Sequence, residues 1–129
     1  MTVFTATGQE RSAIVEAFAD PDRLVVVSLC AAWCDTCGQF RAAYERLAQA
    51  RPQATFVWLD IEDDAEIAGD IDVENFPTLA IYRGRDPLHF GVSLPHETTL
   101  GLLIDALAGR IETLRDAPDE VRELPDKFA

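Results

Sequence analysis

The chain has 129 residues, of which 48% are hydrophobic and 26% charged, the length and composition of one globular domain rather than of two domains or a disordered chain. Eleven Lys and Arg against 23 Asp and Glu leave a net charge of −12, which repels phosphate backbones and anionic lipid, so neither nucleic acid nor a membrane surface is an expected partner. Three cysteines are too few, and too odd a number, for a disulfide-stapled secreted scaffold, so any cysteine chemistry is expected to be local.

In chain order, residues 9–19 set Ile14, Val15 and Phe18 at helical spacing, with Thr7 and Ser12 as starting caps and Asp20-Pro21-Asp22 as the stop. Residues 23–30 form a near-continuous Val-rich run, which suits a strand covered on both faces. Phe40, Ala43, Tyr44 and Leu47 predict a helix over 34–50, closed by Arg51-Pro52. A second strand is expected over 54–60, a short helix with Ala65, Ile67 and Ala68 over 63–70, and a third strand over 77–82. The turn Arg83-Gly84-Arg85-Asp86 then leads to a fourth strand over 88–92, in hairpin relation to the third. Leu100, Leu103, Ile104, Leu107 and Ile111 share one face of an amphipathic helix over 98–114. Residues 115–129, with Pro118, Pro125 and repeated carboxylates, read as a solvated tail with room for one short helical turn, which divides the chain into a domain over 1–112 and an acidic tail over 113–129. This order describes an α/β sandwich with parallel and antiparallel pairs in one sheet. Leu24 to Val27 and Leu29 to Trp33 are far shorter than a membrane span, and Met1 to Asp20 carries charges where a secretory signal would be apolar. The cytoplasm is therefore the expected compartment.

Cys34-Asp35-Thr36-Cys37 follows directly on a predicted strand and opens a predicted helix, the context that separates a redox pair from half of a metal site. At positions i and i+3 both sulfurs lie on one face of the first turn, close enough to be bridged when Cys34 sits at the cap. The unpaired amides and positive dipole end favour a thiolate on Cys34, the expected nucleophile, with Cys37 one turn further in as the resolving thiol. A zinc or iron–sulfur reading needs more soft donors than Cys30, His89 and His96 supply. Two cysteines packed merely as small apolar groups would make their placement a coincidence. No metal is expected, and no organic cofactor, because no nucleotide-binding glycine pattern is present.

Trp33-Cys34-Asp35-Thr36-Cys37, Phe76-Pro77-Thr78, Asp60 in the LDIE stretch and Gly84 in the hairpin turn together resemble the thioredoxin family, over residues 2–112. The resemblance implies a thioredoxin-like sandwich, a central mixed sheet of four to five strands flanked by about four helices. It implies a thiol–disulfide oxidoreductase that reduces disulfides of client proteins, cycles through a Cys34–Cys37 disulfide and takes electrons from a reductase or a small thiol, working as a monomer. The resemblance implies that Asp35 and Thr36 complete the active-site motif and that Trp33 would cover the disulfide and, with Phe76, Pro77 and Gly91, would form the substrate-binding groove. A cis Phe76–Pro77 bond would leave the backbone of residue 76 free to pair with an extended client, and Gly91 would allow close approach.

The chain departs from the family pattern at several positions. Ser28 and Trp58 stand where a buried acid and a lysine are usual, and a hydroxyl cannot accept the resolving thiol's proton as a carboxylate does. Asp35 and Thr36 replace Gly-Pro, and Asp35 adds a charge that opposes a thiolate while suiting the helix terminus. The alternative function is a partner-binding or chaperone-like module with weak redox turnover. Cys30 reads as a buried inert thiol, the sharper alternative being a third redox partner. His89 and His96 read as surface residues, and Glu62, Asp63, Asp64 and Glu66 as a solvated face that, if it rims the site, favours basic or neutral clients.

Overall fold

The Val-rich run over Leu24–Cys30 is buried at every residue, as its continuous apolar pattern requires, because it lies in the middle of the sheet with a helical layer on each face. The computed structural model describes residues 3–6, 8–31, 34–68, 71, 73, 77–92, 96–109 and 114–128. Among them the elements run β1 (Val3–Thr5), α1 (Gly8–Ala19), β2 (Leu24–Cys30), α2 (Asp35–Gln49), β3 (Ala54–Asp60), α3 (Ala65–Ala68), β4 (Thr78–Arg83), β5 (Asp86–Val92), α4 (Glu97–Ala108) and α5 (Asp119–Lys127). The sheet order is β1-β3-β2-β4-β5. β3 is parallel to β1 and β2, whereas β4 is antiparallel to β2 and β5.

The period of two along each strand sorts the core into two halves. Val25, Val27 and Leu29 of β2 and Val57 and Leu59 of β3 meet Ile14 and Phe18 of α1, Ile67 of α3, and Val121 and Leu124 of α5. Leu24, Val26 and Phe56 point the other way, onto Phe40, Tyr44 and Leu47 of α2 and Leu100 and Ile104 of α4. The Tyr44 hydroxyl reaches the carbonyl oxygens of Val26 at 2.9 Å and Val57 at 2.8 Å, tying α2 to both central strands. At the β4–β5 turn Gly84 has φ 58°, and a Cβ there would stand 2.9 Å from the Cα of Pro21, so the position requires glycine.

Two expectations are corrected. β1 was not foreseen, being only three residues long. The stretch read as a solvated tail instead forms α5, a fifth helix, whose Val121 and Leu124 are 0% exposed and are followed by Phe128 at 1%. Arg11 donates to the carbonyls of Phe128 at 2.7 Å and Lys127 at 3.0 Å, fixing the helix end to α1. Pro125 lies inside α5 and has no N–H to give the Val121 carbonyl four residues back. The buried Tyr82 hydroxyl donates to that carbonyl at 2.7 Å instead, which is why a proline is tolerated there.

Candidate functional site

The site lies where β2 ends and α2 begins. Cys34 is the residue before the helix, with extended backbone (φ −87°, ψ 114°) and no hydrogen bond from its side chain to the first-turn amides. Its N–H donates to Ala31 at 3.0 Å and its carbonyl accepts from Gly38 at 3.2 Å. Cys34 is partly exposed, and Asp35 and Thr36 are exposed beside it on the first turn. Cys37, the first buried residue of α2, is only 1% exposed. This arrangement gives an outer thiol at a helix N-terminus and an inner sulfur beneath it.

The bond present in this structure is not the expected Cys34–Cys37 bridge. Cys37 is joined to Cys30 at a Cα–Cα distance of 5.9 Å, and Cys34 is free. Cys30 is as buried as expected, at 1% exposure, but it is bonded rather than a free thiol. The alternation of β2 puts it, with Ser28, on the face that carries Leu24 and Val26 toward α2, and there it meets Cys37. That alternation was the available signal; a cysteine flanked by apolar residues hid it.

Ser28 and Trp58, the two departures, are neighbours in the β2–β3 register. The Ser28 Oγ lies 3.7 Å from the Cys30 Sγ, and because a disulfide sulfur has no proton the hydroxyl is the donor. Trp58 lies under the Arg41 guanidinium, 4.8 Å from its ring centroid, a cation–π contact on the outside of α2. A cavity of about 420 Å³ opens beside Cys37, with Ala31, Trp58, Asp60, Asp63 and Asp64 on its walls. The Asp60 Oδ1 accepts from the amides of Glu62 at 2.8 Å and Asp63 at 3.0 Å, and the Asp64 carboxylate from the amide of Asp60 at 2.9 Å, so this acidic loop is fixed by its own turns.

The expected client groove is described in part. Trp33 and Phe76, and with Phe76 the Phe76–Pro77 peptide bond, lie outside the described residues. Pro77 is buried. The β2–β4 register ends at Leu29 opposite Thr78, and continuing it by one residue brings Pro77 across from Cys30, where a residue without an N–H stops the ladder. Gly91 is paired with Leu79 on β5. Val92 beyond it, opposite Thr78, is 57% exposed, an apolar side chain that the sequence pattern did not single out. His96 is exposed at the start of α4 and His89 lies on β5. Among the described residues no group of three or more His, Cys, Asp or Glu is arranged to hold a metal ion.

Among the described residues, a five-stranded mixed sheet with two helices on one face and three on the other, carrying cysteines at the β2–α2 junction, defines the class of thioredoxin-fold dithiol proteins. The family model for thioredoxin matches residues 3–98, and the chain belongs to the thioredoxin family. It is similar to Thioredoxin-2 of Saccharomyces cerevisiae, 35% identical over 68 residues that cover 53% of this chain and 65% of that one. It is also similar to the thioredoxin of Ophiophagus hannah, 27% identical over 67 residues, 52% of this chain and 64% of that one. The chain thus spans slightly less than two thirds of the length of these curated relatives. A crystal structure of a poplar thioredoxin h mutant superposes with a TM-score of 0.72 at 17% identity, covering 86% of each chain; at that identity the likeness is one of fold.

Proposed function

We propose that this protein is a thiol–disulfide oxidoreductase that reduces disulfides of client proteins through Cys34 and Cys37. The observation that carries the reading is the contrast between the two: Cys34 is partly exposed at the N-terminus of α2, and Cys37 is buried one turn inward. In the reduced protein the Cys34 thiolate attacks one sulfur of a client disulfide, and the other client sulfur leaves as a thiolate. Cys37, having given up its proton, attacks the Cys34 sulfur and expels the second client thiolate. The client gains two electrons and the protein loses two.

Trp33, Phe76, Pro77 and Gly91 form the client groove in this proposal, with Asp35 and Thr36 on its rim. Pro77 supports it, because continuing the β2–β4 register by one residue sets it across from Cys30, and Gly91 lies one residue from the end of β5, the strand that pairs with β4. The carboxylates of Asp60, Asp63 and Asp64 on the neighbouring cavity wall favour basic or neutral clients over acidic ones. Electrons come from a reductase or a small thiol; a thioredoxin f2 of similar fold, with a TM-score of 0.65 at 21% identity, has been solved in complex with ferredoxin:thioredoxin reductase, which supports a reductase partner. No helix among the described residues is long and apolar enough to cross a membrane. The proposal assigns the protein to the cytoplasm as a monomer, needing neither metal nor organic cofactor.

The test is reduction of insulin disulfides under dithiothreitol by wild type and by Cys34→Ser. Wild type should accelerate precipitation of the insulin chains, and Cys34→Ser should give the rate without protein. Equal background rates for both would refute the reductase reading.

A further inference from the structure

The bond between Cys30 and Cys37, with Cys34 free, describes a protein that has lost two electrons and still carries its outer thiol. We propose that Cys30 is a third redox cysteine, which takes the disulfide over from Cys34 and stores it beneath α2. The proposal rests on the dithiol reading above and adds one step to it.

Cys37 stands between two partners. Cys34 is three residues back along the helix, and Cys30 is across from it at the end of β2, with a Cα–Cα distance of 5.9 Å that falls within the range a disulfide spans. Once a client has been reduced, the protein holds a Cys34–Cys37 disulfide and a Cys30 thiol. Cys30, as the thiolate, attacks the Cys37 sulfur; the Cys30–Cys37 bond forms, the Cys34–Cys37 bond breaks, and Cys34 leaves as a thiolate that takes up the proton Cys30 released. One disulfide replaces another, so no outside oxidant or reductant is needed. The Ser28 hydroxyl, 3.7 Å from the Cys30 sulfur, is the donor available to stabilise a thiolate there. The cavity that reaches Cys37 gives water a path to carry the proton.

The exchange changes what the oxidised protein presents. A surface disulfide at Cys34 is open to a reductase, whereas Cys30 and Cys37 are each 1% exposed. Reduction then waits on Cys34 attacking Cys37 again and returning the bond to the surface. Until that happens Cys34 can capture a second client disulfide but has no free Cys37 to release it, so the oxidised form holds clients covalently.

The test is a bridge map of the full chain oxidised with diamide, blocked with N-ethylmaleimide before denaturation, digested without reduction and read by mass spectrometry. The expected result is maleimide on Cys34 together with a Cys30–Cys37 linked peptide. In Cys30→Val the bond has only Cys34 to return to, so Cys34 labelling should fall at least about tenfold and a Cys34–Cys37 peptide should appear. A wild-type map with Cys34 blocked by Cys37 and Cys30 carrying no bond would overturn the proposal, and it needs no variant to fold. Insulin reduction separates the two readings. Normal turnover with a Cys34–Cys37 map removes the storage step alone, while background turnover removes the reductase reading whatever the map shows.

Discussion

Replacing Phe128 by Ala removes the side chain that closes the α1–α5 side of the core. Phe128 is 1% exposed and its ring centroid lies 5.7 Å from that of Phe18, which in turn packs edge-on at 5.3 Å against Tyr82. Truncating a fully buried Phe costs about 3–5 kcal/mol in transfer and cavity terms. The lower end of that range is the minimum expected for a side chain buried this fully. A loss of about 3 kcal/mol is a large share of the roughly 5–15 kcal/mol that holds a domain folded, and for a chain of this size it lowers Tm by about 10 °C. Urea unfolding followed by far-ultraviolet circular dichroism should show the midpoint fall with the slope unchanged. Glu123→Ala, exposed on the same helix, should change stability by less than about 0.5 kcal/mol. If Phe128→Ala were equally silent, α5 would not be part of the core and the packing described for it would be wrong.

Tyr44 and Tyr82 are the chain's two tyrosines, and burial pushes both phenols well above their ordinary range. The folded protein should therefore show no phenolate absorbance at 295 nm with a midpoint near pH 10, and a normal midpoint for either would contradict its burial. Because the folded pKa values are raised, this stability is fully present below the unfolded tyrosine pKa and is lost as pH rises above it, at up to about 1.4 kcal/mol per pH unit for each tyrosine. Gly84→Ala puts a Cβ 2.9 Å from the Cα of Pro21 at a φ of 58° and should cost about 1–3 kcal/mol in urea titration; a neutral result would show that the turn relaxes freely.

The central elements were legible because their patterns have one physical explanation. A seven-residue run such as Leu24–Cys30 must be covered on both faces, and Phe40, Ala43, Tyr44 and Leu47 share a face only on a helix. The Cys34 and Cys37 spacing marked the candidate site for the same reason, since a strand-to-helix junction puts one sulfur outside and the other inside. α5 was hidden by Pro118, Pro125 and its charges, although Val121, Leu124 and Phe128 already stand at i, i+3 and i+7. Seeing it required knowing that Tyr82 serves the carbonyl Pro125 cannot, which is a contact 39 residues away in sequence. The partner of Cys37 was read as Cys34, with Cys30 only as the alternative, on similar grounds: local spacing favours Cys34, and only the sheet's facing direction brings Cys30 beneath the helix.

The central claim is that Cys34 makes the first bond to a client. Reduced Cys37→Ala protein, mixed with insulin, quenched in acid within seconds and mapped by mass spectrometry, tests it most directly. The expected product is an insulin chain joined to the peptide carrying Cys34, with Cys30 unmodified. A chain joined to Cys30, or Cys34 recovered as a free thiol at every quench time, would contradict it.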